Sequence, residues 1–371
     1  MKFLVNIDKV FSELLLQEDT DQDKKITKDD TGPKKFVLVD QITKQEKTIE
    51  GTYHLSNLLQ ELAQLKESNL IEGEINLHRI QENPVERISR KIREDYWNEL
   101  TRTIDKKGLA QILQDEKTSN EIPTLYVPAT DQQGVAYFQE LEKELQNFKV
   151  AILPENFSME YVETLNTKPG ILALALKQKI YSLQGVPFVV PGGRFNEMYG
   201  WDSYFIGVGL LIDNQLEKAM AIADNFKYQI THYGKILNAN RSYYLTRTQP
   251  PLYSSLLIDI VKQKTPDFDW LKGHLETVIK EYDTVWMVQG NRLTPTGLNR
   301  YKADGVGMPF EVEPGHFDDV LEPYAQKYNL PIREFEKKYL ERSLIDAELD
   351  EYFVHDRSLR ESGHDTTDRL I

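Results

Sequence analysis

Apolar residues near the N-terminus recur at three- and four-residue spacing and give way to a polar stretch. This pattern predicts an amphipathic helix over residues 1–16, followed by a polar loop. A short apolar run at residues 36–39 then predicts a strand. We interpret residues 1–50 as a small unit of their own. The apolar positions of the predicted helix are Phe3, Leu4, Ile7, Val10, Phe11, Leu14 and Leu15.

Helical periodicity dominates the rest of the chain. Residues 51–80 are interpreted as a linker, although the helical pattern already begins at residue 56. Within residues 56–102, one face carries Val85, Ile88, Ile92, Tyr96 and Leu100. A mixed stretch with a strand-like piece at 124–130 follows. Further helices are predicted within 161–183, 204–234, 252–264 and 269–286, separated by loops rich in Gly and Pro.

This succession of helices without convincing strands predicts an all-α fold. Because the conspicuous residues fall in the connections, a helical toroid over residues 81–371 fits better than an α/β sheet fold.

Composition and charge exclude several classes of function. The 371 residues carry a net charge of −14, so a phosphate backbone or an anionic membrane would be repelled. The absence of cysteine removes disulfides, thiolate nucleophiles and cysteine-based zinc sites. No apolar run approaches the roughly 18 residues that a membrane span needs. The N-terminal apolar run is too short for a signal peptide, so a cytoplasmic location is expected.

Residues 19–30 have the spacing of an EF-hand calcium loop. Oxygen-bearing side chains stand at positions 1, 3, 5, 9 and 12 after a predicted helix. Two residues depart from the pattern: Lys24 occupies the usual glycine position, and Asp30 reaches less far than glutamate. The alternatives are a solvated acidic loop and Mg²⁺, which prefers stricter octahedral geometry. We predict a structural or regulatory Ca²⁺ site with Asp19, Asp21, Asp23, Lys25 and Asp30 as ligands.

Residues 191–204, PGGRFNEMYGWDSY, combine the groups that sugar recognition requires. Arg194 offers a planar fork of donors, Trp201 a flat apolar face, and Asp202 a bidentate acceptor for adjacent hydroxyls. The alternative is a Gly/Pro turn in which Trp201 is only a core residue. The segment closely resembles the signature of trehalases, which are glycoside hydrolases.

Further segments follow in the trehalase order. They are Leu237-Asn238-Ala239-Asn240-Arg241, Arg247-Thr248-Gln249-Pro250-Pro251, Met308-Pro309-Phe310-Glu311 and Leu359-Arg360-Glu361-Ser362-Gly363-His364-Asp365. The acidic loop at 19–30 extends the resemblance, because fungal-type neutral trehalases carry a calcium loop ahead of the catalytic domain. The resemblance therefore implies an (α/α)₆ toroid preceded by an EF-hand-like calcium-binding unit.

The resemblance also assigns roles to residues. It implies Asp365 as the general acid that protonates the leaving oxygen, with a helix N-cap as the alternative role for this residue. Glu313 is an alternative to Glu311, and we interpret His364 as a loop residue rather than a metal ligand. The implied sugar contacts are Arg194, Trp201, Asp202, Asn238, Arg247, Thr248, Gln249, Glu311, Arg360 and Gly363.

An inverting glycosidase needs a second carboxylate about 6.5 to 9.5 Å from the acid, to activate water. The resemblance places this base, and a second signature of the QWDxPxxW type, downstream of Ile371. It also places a phosphorylatable tail ahead of the calcium unit. We therefore expect a C-terminally truncated trehalase, with roughly half of the about twelve helices that a toroid needs.

Three functions follow from these expectations. The first is an inverting α,α-trehalase that cleaves trehalose into two glucose molecules, with a regulatory protein as a partner at the calcium unit. The second is a catalytically inactive, truncated paralogue that binds calcium and sugar or interacts with another protein. The third, a glucoamylase-like toroid hydrolase, matches the motifs less specifically.

Overall fold

The computed structural model describes residues 1–113, 122–165, 168–180, 182–309 and 312–364. The chain forms two units, Met1–Tyr96 and Trp97–Ile371. The N-terminal unit contains, in chain order, β1 (Lys2–Asn6), α1 (Ile7–Glu18), β2 (Lys35–Val39), β3 (Glu46–Glu50), α2 (Thr52–Glu67), β4 (Glu72–Asn76), α3 (Leu77–Gln81), α4 (Pro84–Lys91) and a π-helical turn (Ile92–Tyr96).

Two antiparallel strand pairs and two packed helices build this N-terminal unit. β1 pairs with β4, and β2 pairs with β3. The side chain of Asn6 caps α1 by accepting a hydrogen bond of 3.0 Å from the backbone N–H of Lys9. The core gathers apolar side chains from strands and helices alike, including Phe3, Leu14 and Leu58. Burial of these side chains is the main stabilising term.

The predicted helix over residues 1–16 is wrong in its first turns. Residues 2–6 form β1, in which Phe3 and Val5 alternate with more exposed residues. The register pairs Phe3 with Ile75 of β4, far along the chain. The spacing of apolar residues within a short stretch of sequence does not reveal such a distant partner. For this reason the sequence pattern predicted a helix where the structure has a strand.

Residues 51–80, for which the sequence predicts a linker, instead form α2, β4 and most of α3. The Leu55, Leu58 and Leu62 side chains of α2 are fully buried in the core of the N-terminal unit. The boundary between the units consequently follows Tyr96, and not the predicted residues 50 and 80.

The apolar face predicted for residues 85–100 is exposed in its first part, at Val85 and Ile88. Val85 and Ile88 are 76% and 59% exposed, whereas Arg87 is buried. The Arg87 guanidinium donates to the Glu61 carboxylate at 3.1 Å, and Arg90 donates to Glu82 at 2.9 Å. These charge-assisted hydrogen bonds orient α4 with its polar side inward.

The C-terminal unit is mostly helical with small sheets. Its elements are α5 (Trp97–Glu99), β5 (Thr101–Arg102), α6 (Leu109–Ile112), β6 (Thr124–Pro128), α7 (Gln132–Leu145), β7 (Lys149–Leu153), α8 (Met159–Leu165), β8 (Ile171–Leu172), β9 (Leu176–Gln178), β10 (Leu183–Gly185), β11 (Phe188–Val189), α9 (Gly200–Ile212), α10 (Leu216–Tyr233), a 3₁₀ turn (Ser242–Tyr244), α11 (Tyr253–Gln263), α12 (Phe268–Glu281), a π-helical turn (Tyr282–Trp286), α13 (Asp318–Lys327), α14 (Ile332–Leu340) and α15 (Ala347–Glu361).

Helix α10 packs against α9, α11 and α12, and its buried Ile222 and Phe226 join the main core. Beside these helices lies a three-stranded parallel sheet in the order β7-β6-β8. The all-α prediction is therefore too simple, while the toroid stays a prediction. Within the described residues, no helix is both long and apolar enough to cross a membrane.

The helix predicted over 161–183 is wrong beyond Leu165, where α8 ends. Residues Ile171–Leu172 form β8, which pairs in parallel with β6. A Cβ atom at Gly170 would lie 2.4 Å from the carbonyl oxygen of Thr124, so the chain passes too close to β6 for a side chain. The Pro169-Gly170 pair ends the helical pattern, and β6 supplies the backbone partners for a strand.

Candidate functional site

Three loop segments of the motif series are joined by backbone hydrogen bonds. The Gly200 N–H at the start of α9 donates to the Asn238 carbonyl at 3.0 Å, and the Asn240 N–H donates to the Met198 carbonyl at 3.2 Å. The Asn238 N–H in turn donates to the Arg247 carbonyl at 3.0 Å. The segments 191–204, 237–241 and 247–251 thus form one local assembly.

The Gln249 side chain fastens the third segment to the first. Its Oε1 atom accepts a hydrogen bond of 2.7 Å from the backbone N–H of Trp201. A Cβ atom at Gly200 would lie 2.8 Å from that same oxygen, so this close approach requires glycine. The Thr248 hydroxyl donates to the Ile236 carbonyl. Both side chains, predicted as sugar contacts, therefore also hold the site together.

A buried ion pair, which the sequence motifs contain but which we did not predict as functional, supports this assembly. Arg241 donates to Glu197 Oε2 at 2.8 Å, and the two residues are 1% and 0% exposed. The Tyr199 hydroxyl donates to Glu197 Oε1 at 2.9 Å. Burial, with the Glu197 charge as a second cause, raises the pKa of Tyr199, which keeps its proton.

Asn240 is a second positioning residue that sequence reasoning did not single out. Its side chain accepts from the Met198 N–H at 2.6 Å and donates to the Leu172 carbonyl at 2.8 Å. It is fully buried and links the loop to β8. Its place inside a matching motif, two residues after Asn238, was the available signal.

Helix α15 brings the last motif against the first. Gly363 follows this helix with a backbone φ of 84°, and a Cβ atom there would lie 2.6 Å from Cε2 of the Trp201 indole. The His364 ring packs edge-on to Trp201 with 5.3 Å between the ring centroids. Thus Trp201 and Gly363, both predicted sugar contacts, adjoin each other. Asp365, the predicted acid, and Glu311 lie outside the described residues.

Three arginines on and near α15 fix its position in the C-terminal unit. Arg292 donates through Nε and a terminal nitrogen to Glu361 at 2.6 and 3.0 Å, and both residues are buried. Arg357 donates to the carbonyl oxygens of Gly307 and Met308 at 2.6 and 3.1 Å. The third arginine, Arg360, which is a predicted sugar contact, has its guanidinium 5.7 Å from the Phe317 ring centroid. The paired arginines anchor the end of α15, from which the last motif continues.

The remaining predicted sugar contacts differ in exposure. Arg194 is exposed, with its guanidinium 4.9 Å from the Phe195 ring centroid. Arg247 is buried, 4.7 Å from the Tyr244 ring centroid. Arg360 donates to Asp356 at 2.8 Å. Burial raises the pKa of Asp202, which is partly exposed at the start of α9. The predicted sugar contacts thus include an exposed guanidinium, a buried one and a half-buried carboxyl group.

The acidic loop of the N-terminal unit contains a cluster of carboxylates that could bind a cation. Asp19, Asp21 and Asp23 bring carboxylate oxygens within 4.8 Å of one another. Lys24 adopts the left-handed conformation, with φ at 64°, that glycine takes at this position in EF-hands. An all-oxygen set of clustered carboxylates suits Ca²⁺, to which Lys25 would contribute its backbone carbonyl.

Asp30 does not join this carboxylate cluster. Its two oxygens accept hydrogen bonds of 2.7 Å from the backbone N–H groups of Thr20 and Thr27. These bonds lower the pKa of Asp30 to about 2. The carboxylate of Glu18, which we did not predict as part of the loop, accepts a hydrogen bond of 2.9 Å from the backbone N–H of Lys34. After the loop the chain enters β2 rather than a second helix, so only half of an EF-hand is present.

Two family models match the chain, one over the motif segments and one over the acidic loop. The family model "Trehalase" matches residues 73–371, and the model "Neutral trehalase Ca2+ binding domain" matches residues 11–38. The second match contains most of α1, the acidic loop and most of β2. The first covers more than half of the chain and all the motif segments.

Individual relatives extend the similarity over the whole chain. The chain is 43% identical to the cytosolic neutral trehalase of Emericella nidulans over 385 residues, covering 100% of this chain and 51% of that protein. The cytosolic neutral trehalase of Saccharomyces cerevisiae is 42% identical, with 99% and 51% covered. A solved neutral trehalase structure from Saccharomyces cerevisiae superposes with a TM-score of 0.73 at 42% identity, covering 78% of this chain and 55% of that one. The chain therefore spans about half the length of these relatives.

Proposed function

Because the chain belongs to the trehalase family, we propose that it carries the trehalose-binding residues and the general acid of an inverting α,α-trehalase. The observation that supports this most is the junction of Trp201 with Gly363, where a Cβ atom would not fit. This junction joins the start of the motif series to its end. A sugar ring bound there would meet groups from both ends of the motif series.

Trehalose binding is assigned to the charged and aromatic groups of this assembly. Trp201 offers its indole to the C–H face of a glucose ring, and Asp202 accepts hydrogen bonds from adjacent hydroxyls. Arg194, Arg247 and Arg360 supply donor forks. Gln249 uses Oε1 for the Trp201 N–H, so its amide NH₂ group is the part left for sugar. Asn238, Thr248, Glu311 and Gly363 complete the proposed set.

Asp365 is proposed as the general acid. It directly follows His364 in the sequence, and the contact of the His364 ring with Trp201 supports this assignment. In the reaction, Asp365 gives its proton to the glycosidic oxygen as the bond from C1 to that oxygen breaks. Water adds to C1 from the opposite face and loses a proton to a base. The resemblance assigns none of the 371 residues to that base.

Ca²⁺ is proposed as a structural or regulatory ion of the N-terminal unit. Asp19, Asp21 and Asp23 would hold it, with the Lys25 carbonyl. Asp30 would serve either as a ligand or, as its hydrogen bonds to Thr20 and Thr27 suggest, as a brace of the loop. The ion would tie the carboxylates together and take no part in bond cleavage.

We also propose a fold for the C-terminal unit, a cellular location and a protein partner. A helical toroid for the C-terminal unit is supported by the packing of α10 on α9, α11 and α12. A cytosolic location is supported by the names of the relatives. A regulatory protein at the calcium unit stays a prediction.

The acid assignment can be tested without the base by supplying azide as an external nucleophile. Azide would attack C1 of bound trehalose, the C1–oxygen bond would break, and Asp365 would protonate the leaving glucose. The proposal predicts β-glucosyl azide from wild type and none from Asp365→Asn, with trehalose binding retained in both.

The outcome also decides between enzyme and binding protein. Trehalose binding without any azide adduct would contradict the acid role and favour the inactive, sugar-binding paralogue. Glucose release in the absence of azide, above that of Asp365→Asn, would place a working base within the 371 residues. Absence of trehalose binding to the folded chain would contradict the proposed function altogether.

A further inference from the structure

The loop at residues 303–308 connects two parts of the proposed trehalose site, although none of its side chains was predicted as a sugar contact. In the sequence it leads into the segment 308–311. The backbone N–H of Asp304 donates to the carbonyl oxygen of Thr246 at 2.9 Å. Thr246 immediately precedes Arg247, whose guanidinium is a proposed donor to trehalose. One end of the loop is therefore fixed to the backbone beside this arginine.

Helix α15 holds the other end of the loop. The Arg357 guanidinium donates to the carbonyl oxygens of Gly307 and Met308 at 2.6 and 3.1 Å. Between the two ends, Gly305 has a backbone φ of 95°, and a Cβ atom there would lie 3.2 Å from Cγ2 of Thr246. The loop thus passes closely over Thr246 on its way to α15.

An ion pair fixes the Asp304 side chain of this loop. Lys235 Nζ donates to Asp304 Oδ2 at 2.6 Å, and the two side chains are only 14% and 30% exposed. Lys235 follows α10 and stands two residues before Leu237, where the second motif segment begins. Shielding from water makes such a charge-assisted hydrogen bond stronger than one at the surface. The pair therefore ties a third part of the site to the loop.

Asp304 is ionised at neutral pH, as the ion pair requires. Burial would raise its pKa, but the charge of Lys235 and the hydrogen bond that Lys235 donates lower the pKa below its usual value. The positive charge of Arg292 acts in the same direction. A longer hydrogen bond of 3.5 Å runs from the Asn291 amide to Asp304 Oδ1. The carboxylate is thus held from more than one side.

We propose that Lys235 and Asp304 are positioning residues of the trehalose site, which act through the loop at 303–308 and touch no sugar themselves. This inference rests on the proposed function. With the ion pair formed, the loop holds Thr246, and with it the backbone of Arg247, in place relative to α15. Without the pair, the loop loses the side-chain contact that orders it, so the Arg247 donor fork is placed less precisely for the sugar hydroxyls. Trehalose then binds more weakly to a chain that is still folded.

Hydrogen exchange, followed by mass spectrometry in the absence of sugar, tests the loop directly. Lys235→Met removes the ammonium group but keeps an apolar side chain of similar length. In this variant, peptides that cover residues 303–308 and 245–249 should exchange about tenfold faster than in wild type, because one charge-assisted hydrogen bond no longer opposes local opening. Lys143→Met is the matched control, because Lys143 pairs with Glu140 at the surface of α7 and its loss should leave these peptides unchanged.

Calorimetric titration with trehalose tests the positioning role. Lys235→Met and Asp304→Asn should each weaken binding by about tenfold. Because the two residues act as a pair, the double variant should also lose about tenfold, and not the roughly hundredfold that two independent residues would lose. A role in stability alone would lower the unfolding midpoint and leave the dissociation constant of the folded chain unchanged.

Three results would overturn the inference: unchanged exchange in Lys235→Met, unaltered trehalose binding in both single variants, or additive losses in the double variant. A folded wild-type chain that binds no trehalose would overturn the proposed function, and the role of the pair in sugar binding with it. The exchange experiment would then still decide whether the ion pair orders the loop.

Discussion

The acidic loop and the sugar-motif assembly place polar groups in opposite ways. In the loop, Asp21 and Asp23 are exposed and neighbouring residues hold them through backbone N–H groups. In the assembly, Glu197 and Arg241 are fully buried and join segments far apart in the sequence. The exposed loop carboxylates are not part of the core of their unit, whereas the assembly uses buried polar groups to hold its segments together. Substitutions should therefore act on ion binding in one region and on stability in the other.

Breaking the buried ion pair should have the largest effect. Arg241→Ala would remove the guanidinium that pairs with the buried Glu197 carboxylate, and losing one partner of a buried ion pair costs about 3 to 5 kcal/mol of unfolding free energy. Denaturant unfolding followed by circular dichroism measures this loss. Arg333→Ala is the matched control, because Arg333 pairs with Asp318 at the surface and its removal should change little. Equal losses in the two variants would contradict the distinction between the regions.

Glu281 should make the C-terminal unit less stable as the pH rises. Its pKa is raised by burial from 4.5 to about 7, so between these values the unfolded state loses its proton first. The stability from the protonated form is complete below about pH 4.5 and lost as the pH rises through about 7. The loss amounts to about 3 kcal/mol.

Glu281→Gln tests this pH dependence, because the amide does not ionise. At about pH 5 it should unfold at nearly the same denaturant concentration as wild type, and at about pH 8 it should be the more stable protein. Parallel stability curves for the two proteins across this range would contradict the assignment.

The junction of Trp201 with Gly363 should tolerate no side chain. Gly363→Ala adds a Cβ atom 2.6 Å from the indole and places it on a left-handed backbone, so about 2 kcal/mol of stability should be lost. Trehalose binding, measured by calorimetry, should weaken at the same time. Gly193→Ala is a suitable control, since no atom lies within 4 Å of a Cβ atom there. Unchanged binding in Gly363→Ala would separate the junction from the sugar site.

The smallest effect is expected in the calcium loop. Lys24→Gly should stabilise the N-terminal unit by up to about 1 kcal/mol, because glycine adopts the φ of 64° without steric cost. Lys28→Gly changes a residue of the same loop without a left-handed backbone, and should give no gain. Thermal unfolding without added calcium compares the two. A larger gain from Lys28→Gly would refute the backbone explanation.

Local patterns in the sequence predicted the cluster of three aspartates in the acidic loop. The i, i+2 spacing of Asp19, Asp21 and Asp23 already brings their carboxylates together, so no distant contact is needed. The hydrogen bonds of Asp30 to Thr20 and Thr27, and of Glu18 to Lys34, depend on the path of the chain after the loop. The spacing of residues does not predict that path. The strand β1 was missed because β4, its partner, lies about seventy residues further on.

The sugar motifs were found through resemblance, but their internal partners were not. Gln249 and Thr248 were predicted as sugar contacts only, and their hydrogen bonds to Trp201 and Ile236 emerge from the tertiary structure. Glu197 and Arg241 are charged residues that a sequence reading places at the surface by default. Their contact with each other, together with the Tyr199 hydrogen bond to Glu197, makes burial favourable. The exposure of Val85 likewise followed from the buried arginines of α4, which periodicity does not reveal.

The most direct test of the account is calorimetric titration of the 371-residue chain with trehalose, and with maltose as a matched disaccharide. The account predicts saturable binding of trehalose and binding of maltose that is weaker by about tenfold or more. Arg247→Lys, which keeps the charge but loses the donor fork, should also weaken trehalose binding by about tenfold. A folded wild-type chain that binds neither sugar, or binds both equally and independently of Arg247, would contradict the claim that these segments form a trehalose site.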